Sequence, residues 1–423
     1  MFLLQINPNI KYLEAAATDV DPVSRTISCI SIECDELCEV RDLQVEYDRL
    51  VVAVGAQIST FGVPGVSEHC YFLKEVEDAK RIRKAIVSAF EKASLPDISE
   101  QEKQDALTFC VVGAGPTGVE FAAELRDFVE EDGPKYYPNL LKYVRIKIFE
   151  YGPGILGPFD ATLQDAAAAQ LTRETTNQWL PNHSHLIELY LSKGVSEVRE
   201  NEIILSNGES VKSAMCVWAA GNGPRPITLQ VITALGQEQA ATQTAARGRI
   251  AVDPWLRALG GNGEIFALGD NACGSCNTQN RQLPATAQVA GQQAEHLARL
   301  FSSGFDMDAK SDKDVLLPPT RKVLADMQLW ERIASMSLGD KEIAAPFQFL
   351  DMGILAYTGG GSALAQVQIC DKDKVSPAKL KGKLGFGVWQ SVYLMKQPSW
   401  KNRILLTLDW AKSKMFGRDI SKL

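Results

Sequence analysis

The apolar positions along the chain fall into short continuous runs and alternating stretches that are separated by longer polar segments. Runs and alternation of this length predict strands. Together they cover residues 26–30, 50–54, Thr108–Val112, 144–149, 211–220, Ile250–Val252 and 264–268. Helices are predicted at Val76–Ala93 and at residues 119–129. Strands that alternate with helices in this way favour an α/β architecture with parallel sheets.

A glycine-rich turn joins the second continuous apolar strand to the helix that follows it. The turn reads Gly-Ala-Gly-Pro-Thr-Gly at residues 113–118, which is the G-x-G-x-x-G spacing of dinucleotide-binding folds. In that spacing Gly113 permits a tight turn, Gly115 lets the backbone approach a pyrophosphate, and Gly118 allows close helix–strand packing. The N–H groups that begin the helix, Thr117 included, favour the negative charge of phosphates. The alternative is a glycine turn without a ligand.

An acidic residue ends the strand that follows this turn. Glu150 comes directly after the alternating strand, 32 residues beyond Gly118 rather than the usual spacing of about 20. A carboxylate at this point accepts hydrogen bonds from the ribose hydroxyls and repels a 2′-phosphate. The sequence therefore predicts a preference for NADH over NADPH.

Composition places the chain among ordinary globular proteins. It has 423 residues, of which 45% are hydrophobic and 23% are charged, a length that favours two to three domains. Residues 371–423 carry 12 Lys and Arg against 4 Asp and Glu, whereas the rest carries 32 against 48. The acidic body argues against nucleic-acid binding, and the basic end indicates a membrane surface or an anionic partner. Nine cysteines in a long chain are typical of reduced thiols in an intracellular compartment.

Further glycines follow apolar strands in the manner of flavin-binding proteins. Gly269 and Asp270 end the strand at residues 264–268, and Gly55 and Gly221 end two others. An aspartate in such a turn hydrogen-bonds the ribityl chain or the pyrophosphate of FAD in flavoproteins that bind two dinucleotides.

These motifs resemble the type II, non-proton-pumping NADH:quinone oxidoreductases of plant, algal and fungal mitochondria. The stretches that carry the resemblance are residues 47–56, 111–125, 283–292, 349–360 and 389–420. The Ala-Gln-Val-Ala-Gly-Gln run and the tryptophan-containing tail are its most specific parts. The resemblance implies a Rossmann-like NAD domain inserted in an FAD domain, followed by an amphipathic helical region that anchors the protein to a membrane. It implies four domain ranges. The FAD-binding domain would consist of residues 1–100 and 236–335, the NAD-binding domain of residues 101–235, and the quinone- and membrane-binding region of residues 336–423.

The resemblance also implies roles for individual residues. NADH reduces FAD, which then reduces a quinone that enters from the membrane. Glu120 and Glu124 would lie near the nicotinamide ribose, and Ala287 would lie beside the flavin ring. Gln288 and Gln292, one helical turn apart, would face the quinone and act with Glu120 in catalysis. Solvated amides at a helix start are the alternative for the two glutamines.

Tyr357 and Met352 are candidates for the quinone tunnel, although core packing explains them equally well.

Two features depart from the family pattern. Family members begin with a G-x-G-x-x-G turn of their own for FAD, so we expect an N-terminally truncated member that binds FAD poorly. Residues 174–187 lack a counterpart, and we expect a surface insertion or a gene-model artefact there. A metal site formed by Trp179, His183 and His185 is a weaker alternative.

Two helices are predicted near the end of the chain, at residues 386–396 and Trp400–Phe416. Apolar residues recur every three to four positions along one face of the second, and basic residues flank them. This pattern predicts peripheral binding to anionic lipid. The family resemblance implies that the membrane is the mitochondrial inner membrane. A homodimer interface or helices packed into the core are the alternatives, and membrane binding and dimerisation can both hold. The terminal residues Ser421, Lys422 and Leu423 match a peroxisomal signal, which leaves the peroxisome as a second location.

Two other functions stay open. A soluble NAD(P)H-dependent flavoprotein reductase would need no basic, tryptophan-rich tail. A catalytically incompetent relative would bind NADH or a partner without a flavin. Cys273 and Cys276 have redox-motif spacing but are expected to be inert, and no metal site is expected, because residues 371–374 lack the pattern of a calcium loop.

Overall fold

The structure is a computed structural model. It describes residues 9–31, 42–175, 185–274, 282–308, 311–312, 315–320, 343–371, 374–397 and 399–418. The chain forms two compact units, each assembled from two separate stretches. Unit I contains Met1–Gln57 and Gly223–Leu350, and unit II contains Ile58–Asn222 and Asp351–Leu423. The four ranges predicted from the sequence stay a prediction.

The strands, in chain order, are β1 Ala15–Asp21, β2 Thr26–Ser31, β3 Asp42–Glu46, β4 Leu50–Val52, β5 Ala56–Ile58, β6 Cys70–Phe72, β7 Thr108–Val112, β8 Arg145–Phe149, β9 Ile187–Tyr190, β10 Val195–Arg199, β11 Glu202–Leu205, β12 Ser210–Lys212, β13 Met215–Trp218, β14 Asn222–Pro224, β15 Ile250–Val252, β16 Ile265–Ala267, β17 Ala272–Gly274, β18 Ser311–Asp312, β19 Val315–Leu316, β20 Ile354–Gly359, β21 Ser362–Asp371 and β22 Lys374–Leu380. The helices are α1 Val66–His69, α2 Val76–Ala93, α3 Glu100–Ala106, α4 Pro116–Asp127, α5 Gly133–Tyr136, α6 Ala161–Leu171, α7 Pro226–Ala234, α8 Gln237–Ala246, α9 Ala287–Ser302, α10 Gly382–Met395 and α11 Trp400–Phe416. A π-helical turn, Phe128–Asp132, continues α4, and 3-10 turns lie at Pro138–Tyr143 and Gly269–Asn271.

Unit II is built around a five-stranded sheet in the order β6-β13-β7-β8-β9, in which all neighbours are parallel. Every residue of β7 is buried, as its continuous apolar sequence predicts for a strand covered on both faces. The helix α4 packs its small apolar residues into the core formed by this sheet. Two antiparallel sheets, β10-β11-β12 and β20-β21-β22, belong to the same unit. The α/β architecture with a parallel sheet is therefore confirmed.

Unit I contains the antiparallel sheet β1-β2-β3 and two parallel pairs, β4 with β16 and β15 with β17. Its core gathers Ile250, Leu256 and Phe266. The buried Arg257 side chain donates to the carboxylate of Asp253 at 2.6 Å, which neutralises both charges inside this core. The register of β4 with β16 brings the ends of both strands to the same edge, where Gly55 and Gly269 follow.

One predicted strand is wrong in its extent. Residues 211–220 form parts of two strands, because the chain turns at Ser213 and Ala214. The N–H of Ser213 donates to Asn201, whereas that of Ala214 donates to Thr108 at the start of β7. β12 therefore pairs with β11, and β13 enters the parallel sheet between β6 and β7.

The ends of two helices also differ from expectation. The helix predicted at residues 119–129 begins at Pro116, a residue that suits the first helical position. The helix predicted at residues 386–396 begins earlier, at Gly382. Within the described ranges no helix is long and apolar enough to cross a membrane.

Candidate functional site

The glycine-rich turn in unit II has the backbone geometry of a dinucleotide-binding turn. Gly113 has a φ of 101°, which glycine adopts without strain. A Cβ on Gly118 would lie 1.9 Å from the carbonyl oxygen of Gly113, so no side chain fits there. A Cβ on Gly115, in contrast, would meet no atom within 4 Å. The space in front of α4 is therefore open to a ligand.

The electrostatics of this helix start favour an anion. Gly115 caps α4, Pro116 is its first residue, and its first turn carries no acidic side chain. The N–H groups of Thr117 and Gly118 have no preceding helical turn to donate to, and the helix dipole adds positive potential. A pyrophosphate fits this arrangement.

Glu150 is joined to the glycine turn directly. Its Oε2 accepts a hydrogen bond from the N–H of Ala114 at 2.7 Å, and its Oε1 accepts one from Gly152 at 2.7 Å. The carboxylate is therefore held against the turn. Each oxygen keeps a second lone pair for a ribose hydroxyl.

In unit I the two predicted flavin turns lie side by side. Gly55 and Gly269 have φ values of 68° and 76°, and a Cβ on Gly55 would meet nothing within 4 Å. The N–H of Leu268 donates to the carbonyl of Val52 at 3.1 Å, which ties the end of β16 to the end of β4. This open, glycine-lined edge fits the phosphates of FAD, beside the predicted contact Asp270.

Two polar residues that the sequence did not single out hold these turns. The buried Asn271 donates to the carbonyl of Val52 at 3.0 Å and accepts from the N–H of Gly55 at 3.4 Å. The buried Gln293 accepts from the N–H of Gly269 at 2.7 Å. The sequence offered one signal for each residue: Asn271 directly follows the Gly-Asp pair, and Gln293 directly follows Gln292.

The helix α9 carries Ala287, Gln288 and Gln292. Thr286 caps it through a hydrogen bond from the N–H of Val289. The side chain of Gln292 donates to the carbonyl of Leu350 and accepts from its N–H, both at 2.9 Å. Gln292 is thus engaged with backbone rather than simply solvated, and its contact with a quinone stays a prediction.

Gly221, in contrast, belongs to unit II. It has a φ of 71°, and a Cβ on it would lie 2.2 Å from the ring of Phe61. Its carbonyl accepts from the N–H of Ser59 at 3.3 Å. The structure explains why a glycine is needed, and its contact with a cofactor stays a prediction.

A cavity of about 370 Å³ in unit II begins beside the first turn of α4. Its lining residues come from α4, from the strand β20, from α10 and from the segment after β6. They are Leu73, Thr117, Glu120, Phe121, Glu124, Tyr357 and Trp389. The ring centroids of Tyr357 and Trp389 lie 5.7 Å apart, and Phe386 stacks on Trp389 at 5.8 Å. The cavity brings Thr117 and Glu120 together, whereas Met352 is 48% exposed and does not line it.

Hydrogen bonds fix the polar groups of this cavity. The Oε1 of Glu120 accepts from the backbone N–H of Tyr357 at 3.0 Å, and the Tyr357 hydroxyl donates to Asp127 at 2.5 Å. Burial raises the pKa of Glu120 above that of an exposed glutamate, and burial also raises the pKa of Tyr357. Glu120 can therefore hold a proton closer to neutral pH than an ordinary carboxyl group does.

Several minor predictions fall partly outside the described residues: Trp179, His183, Cys276 and residues 372–373 and 421–423. The ring of His185 is described, and its Nδ1 lies 2.5 Å from the carbonyl oxygen of Thr172. Among the described residues, no group of three or more His, Cys, Asp and Glu side chains could hold a metal ion.

The dinucleotide turn with its acid in unit II, and the glycine turns in unit I, define a flavoprotein-type pyridine nucleotide oxidoreductase. The family model for pyridine nucleotide-disulphide oxidoreductases matches residues 3–294, and the model for the NDH2 C-terminal domain matches residues 352–419. The chain belongs to the pyridine nucleotide-disulphide oxidoreductase family, within its branch of alternative NAD(P)H-ubiquinone oxidoreductases.

Two relatives and one solved structure match nearly the whole chain. An external alternative NAD(P)H-ubiquinone oxidoreductase B1, mitochondrial, of Solanum tuberosum is 32% identical over 98% of this chain and 79% of its own length. External NADH-ubiquinone oxidoreductase 2, mitochondrial, of Saccharomyces cerevisiae is 35% identical over 97% of this chain and 70% of its own. The structure of NDH2 from Plasmodium falciparum in complex with NADH is similar in fold, with a TM-score of 0.76 and 23% identity over 97% of this chain and 85% of that one. The resemblance found in the sequence motifs is confirmed.

Proposed function

We propose that the chain is an FAD-dependent oxidoreductase that transfers electrons from NADH to a quinone at the mitochondrial inner membrane without pumping protons. The relatives from Solanum tuberosum and Saccharomyces cerevisiae are named mitochondrial NAD(P)H- or NADH-ubiquinone oxidoreductases, which supports the electron donor, the acceptor and the organelle. The observation that carries the proposal is the aromatic-walled cavity that joins Thr117 at the start of α4 to the half-buried Glu120. A flat ring fits between such walls, and a carboxyl group beside it can exchange protons.

The residues of unit II bind the nucleotide. The open space at Gly115 receives the pyrophosphate, and the helix start of α4 neutralises part of its charge. Glu150, held by the N–H of Ala114, accepts hydrogen bonds from the ribose hydroxyls. A bound FAD would supply the redox chemistry between the two substrates, as hydride acceptor toward NADH and electron donor toward the quinone.

The residues of unit I would hold the flavin, and the expected weak binding of FAD by this chain stays a prediction. Gly55, Gly269 and Asp270 line the edge that receives its phosphates and ribityl chain, and Asn271 keeps the two turns together. Quinone reduction consumes protons as well as electrons. The raised pKa of Glu120 lets its carboxyl group carry a proton at the cavity wall, while the N–H of Tyr357 fixes its orientation.

The first test concerns the glutamines of α9. Replacing Gln288 and Gln292 together by alanine should lower quinone turnover at least tenfold, because the predicted contacts of these side chains with the quinone disappear. NADH oxidation by ferricyanide, an acceptor that reaches flavin from solution, should stay within about twofold. Steady-state assays with both acceptors measure the difference.

The matched control is the single variant Gln288→Ala, which removes one predicted quinone contact and keeps both hydrogen bonds between Gln292 and Leu350. A loss of quinone turnover in this variant cannot come from the anchoring of residue 350. Equal loss of both activities in the double variant, with flavin absorbance retained, would contradict the role in quinone binding.

The second test concerns nucleotide preference. Glu150→Gln should narrow the preference for NADH over NADPH at least tenfold, because a neutral amide no longer repels a 2′-phosphate. Its carbonyl oxygen can still accept from Ala114, so the turn keeps one of its two hydrogen bonds. The ratio of kcat/KM for the two nucleotides measures the effect. Equal kcat/KM values for both nucleotides in the unmodified enzyme would refute the assignment.

The C-terminal helices supply the membrane contact in this proposal. No residue of α11 is buried, and most of its large apolar side chains are exposed. The exposed ones are Trp400 (76%), Ile404 (57%), Leu405 (53%), Leu408 (60%), Met415 (75%) and Phe416 (72%). An exposed apolar surface next to basic residues suits an anionic membrane surface. A homodimer through the same helices and a peroxisomal location stay alternatives.

A further inference from the structure

Three cysteines lie in one row across the parallel sheet of unit II. Cys70 is on β6, Cys216 is on β13 and Cys110 is on β7. The register pairs Cys216 with Cys70 on one side and with Cys110 on the other. Since side chains alternate between the faces of a sheet, residues in register on neighbouring strands point to the same face. The three thiols are therefore neighbours on one face.

The spacing of the strands brings each neighbouring pair within reach of a disulfide. Adjacent strands lie about 4.7–4.9 Å apart, and disulfides join Cα atoms separated by about 4.4–6.8 Å. Only one of the two pairs includes an edge strand, since β6 ends the sheet while β13 and β7 lie inside it. An edge strand is hydrogen-bonded to a neighbour on one side only, so it can adjust more readily than an internal strand when a disulfide closes.

The three thiols also differ in how far they are exposed to solvent. Cys70 is half-buried, whereas Cys216 is 3% exposed and Cys110 is fully buried. Burial raises the pKa of Cys110 to about 12. The hydrogen bond with Cys70, together with burial, raises the pKa of Cys216 well above the usual thiol value. Because Cys70 is the more exposed thiol, a reagent from solution meets it first, and the hydrogen bond between the two thiols makes Cys216 the neighbour in contact with the oxidised sulfur.

We propose that Cys70 and Cys216 form a reversible thiol–disulfide site that hydrogen peroxide oxidises. The Cys70 sulfur attacks one peroxide oxygen, the O–O bond breaks, and a sulfenic acid and one water form. The Cys216 sulfur then displaces the hydroxyl group from the Cys70 sulfur, so that an S–S bond forms and a second water leaves. Two electrons pass from the two thiols to the peroxide. A dithiol reductant returns two electrons and two protons and restores both thiols.

The disulfide has a physical consequence for unit II. It joins the edge strand β6 to β13 and closes a loop of more than a hundred residues, which restricts the unfolded chain. β13 is itself joined to β7, because the N–H of Ala219, just after β13, donates to the carbonyl of Val112 at the end of β7. Oxidation should therefore raise the unfolding temperature by about 5 °C or more.

The test uses the full chain after treatment with hydrogen peroxide and blocking of the remaining thiols with N-ethylmaleimide. Mass spectrometry of a non-reduced digest should find a peptide that links Cys70 to Cys216 and that dithiothreitol removes. The Cys70→Ser variant should lose both this peptide and the rise in unfolding temperature. The Cys110→Ser variant is the matched control, since it removes the third thiol of the row but keeps the pair.

The Cys216→Ser variant tests the order of the two oxidation steps. In the Cys216→Ser variant, Cys70 should accumulate as a sulfenic acid that dimedone traps. A link between Cys216 and Cys110, or oxidation of Cys70 in the unmodified chain without a link to Cys216, would overturn the proposal. So would the same rise in unfolding temperature in the Cys70→Ser variant.

Discussion

Alanine at Gly115 should leave the protein folded and weaken NADH binding at least tenfold. Gly115 has a φ of −70°, which alanine adopts readily, and a Cβ there would meet no protein atom within 4 Å. The added methyl group would instead enter the space where the pyrophosphate approaches the backbone of α4. A tenfold loss corresponds to about 1.4 kcal/mol, a size expected when charged groups lose hydrogen bonds to backbone N–H groups.

The matched variant is Gly118→Ala, which adds the same methyl group three residues further along. Its Cβ would lie 1.9 Å from the Gly113 carbonyl oxygen, so the turn itself must move. This variant should lower the unfolding temperature as well as NADH binding. Titration with NADH and thermal unfolding of both variants separate the two effects. An unchanged NADH affinity in Gly115→Ala would contradict the assignment of this turn as the nucleotide site.

Local sequence patterns predicted the framework of unit II because each pattern reflects burial within one element. The apolar run of β7 lies at Thr108–Val112 as predicted, and α2 occupies Val76–Ala93 as predicted. The same reasoning failed at residues 211–220, where the apolar pattern continues through a turn. The turn is fixed by hydrogen bonds to Asn201 and Thr108, and apolar periodicity carries no information about such distant partners.

In the candidate site, too, local features could be predicted from the sequence and distant contacts could not. The glycine turn was predictable because its spacing is local, and its backbone geometry in the structure agrees with that spacing. The partners of the acidic residues were not predictable. Glu120 accepts from the N–H of Tyr357, which is 237 positions away, and the fold alone brings them together. Gln292 was predicted to face the quinone, with a solvated amide as the alternative, and nothing in the sequence indicated its hydrogen bonds to the backbone of Leu350.

The structure also shows how α11 can present an apolar face without losing its position. Near its start, Arg403 donates to the carbonyl of Met395 at 3.0 Å and lies over the ring of Trp400. Just beyond its end, Arg418 forms ion pairs with Asp132 and Glu131 at 2.9 Å. Polar contacts therefore hold both ends of the helix, and its exposed apolar side chains are not needed for this attachment.

Two aspartates on the apolar face of α11, Ile404→Asp with Leu408→Asp, should lower binding to anionic vesicles at least tenfold while the unfolding temperature stays unchanged. Both side chains are more than half exposed, so their replacement removes no core contact. In the bound state each would have to carry a charge into the apolar layer, which costs more than the loss of an apolar contact.

The matched control for this pair is Asn402→Asp with Ser413→Asp, which adds the same charge to the opposite side of the helix and should reduce binding far less. Flotation with vesicles that contain or lack anionic lipid measures binding, and sedimentation of the same variants measures self-association. Retained flotation of the first pair would refute the membrane contact. Conversion of a dimer to a monomer, with no flotation of the unmodified chain, would instead assign the apolar face of α11 to a second copy of the chain.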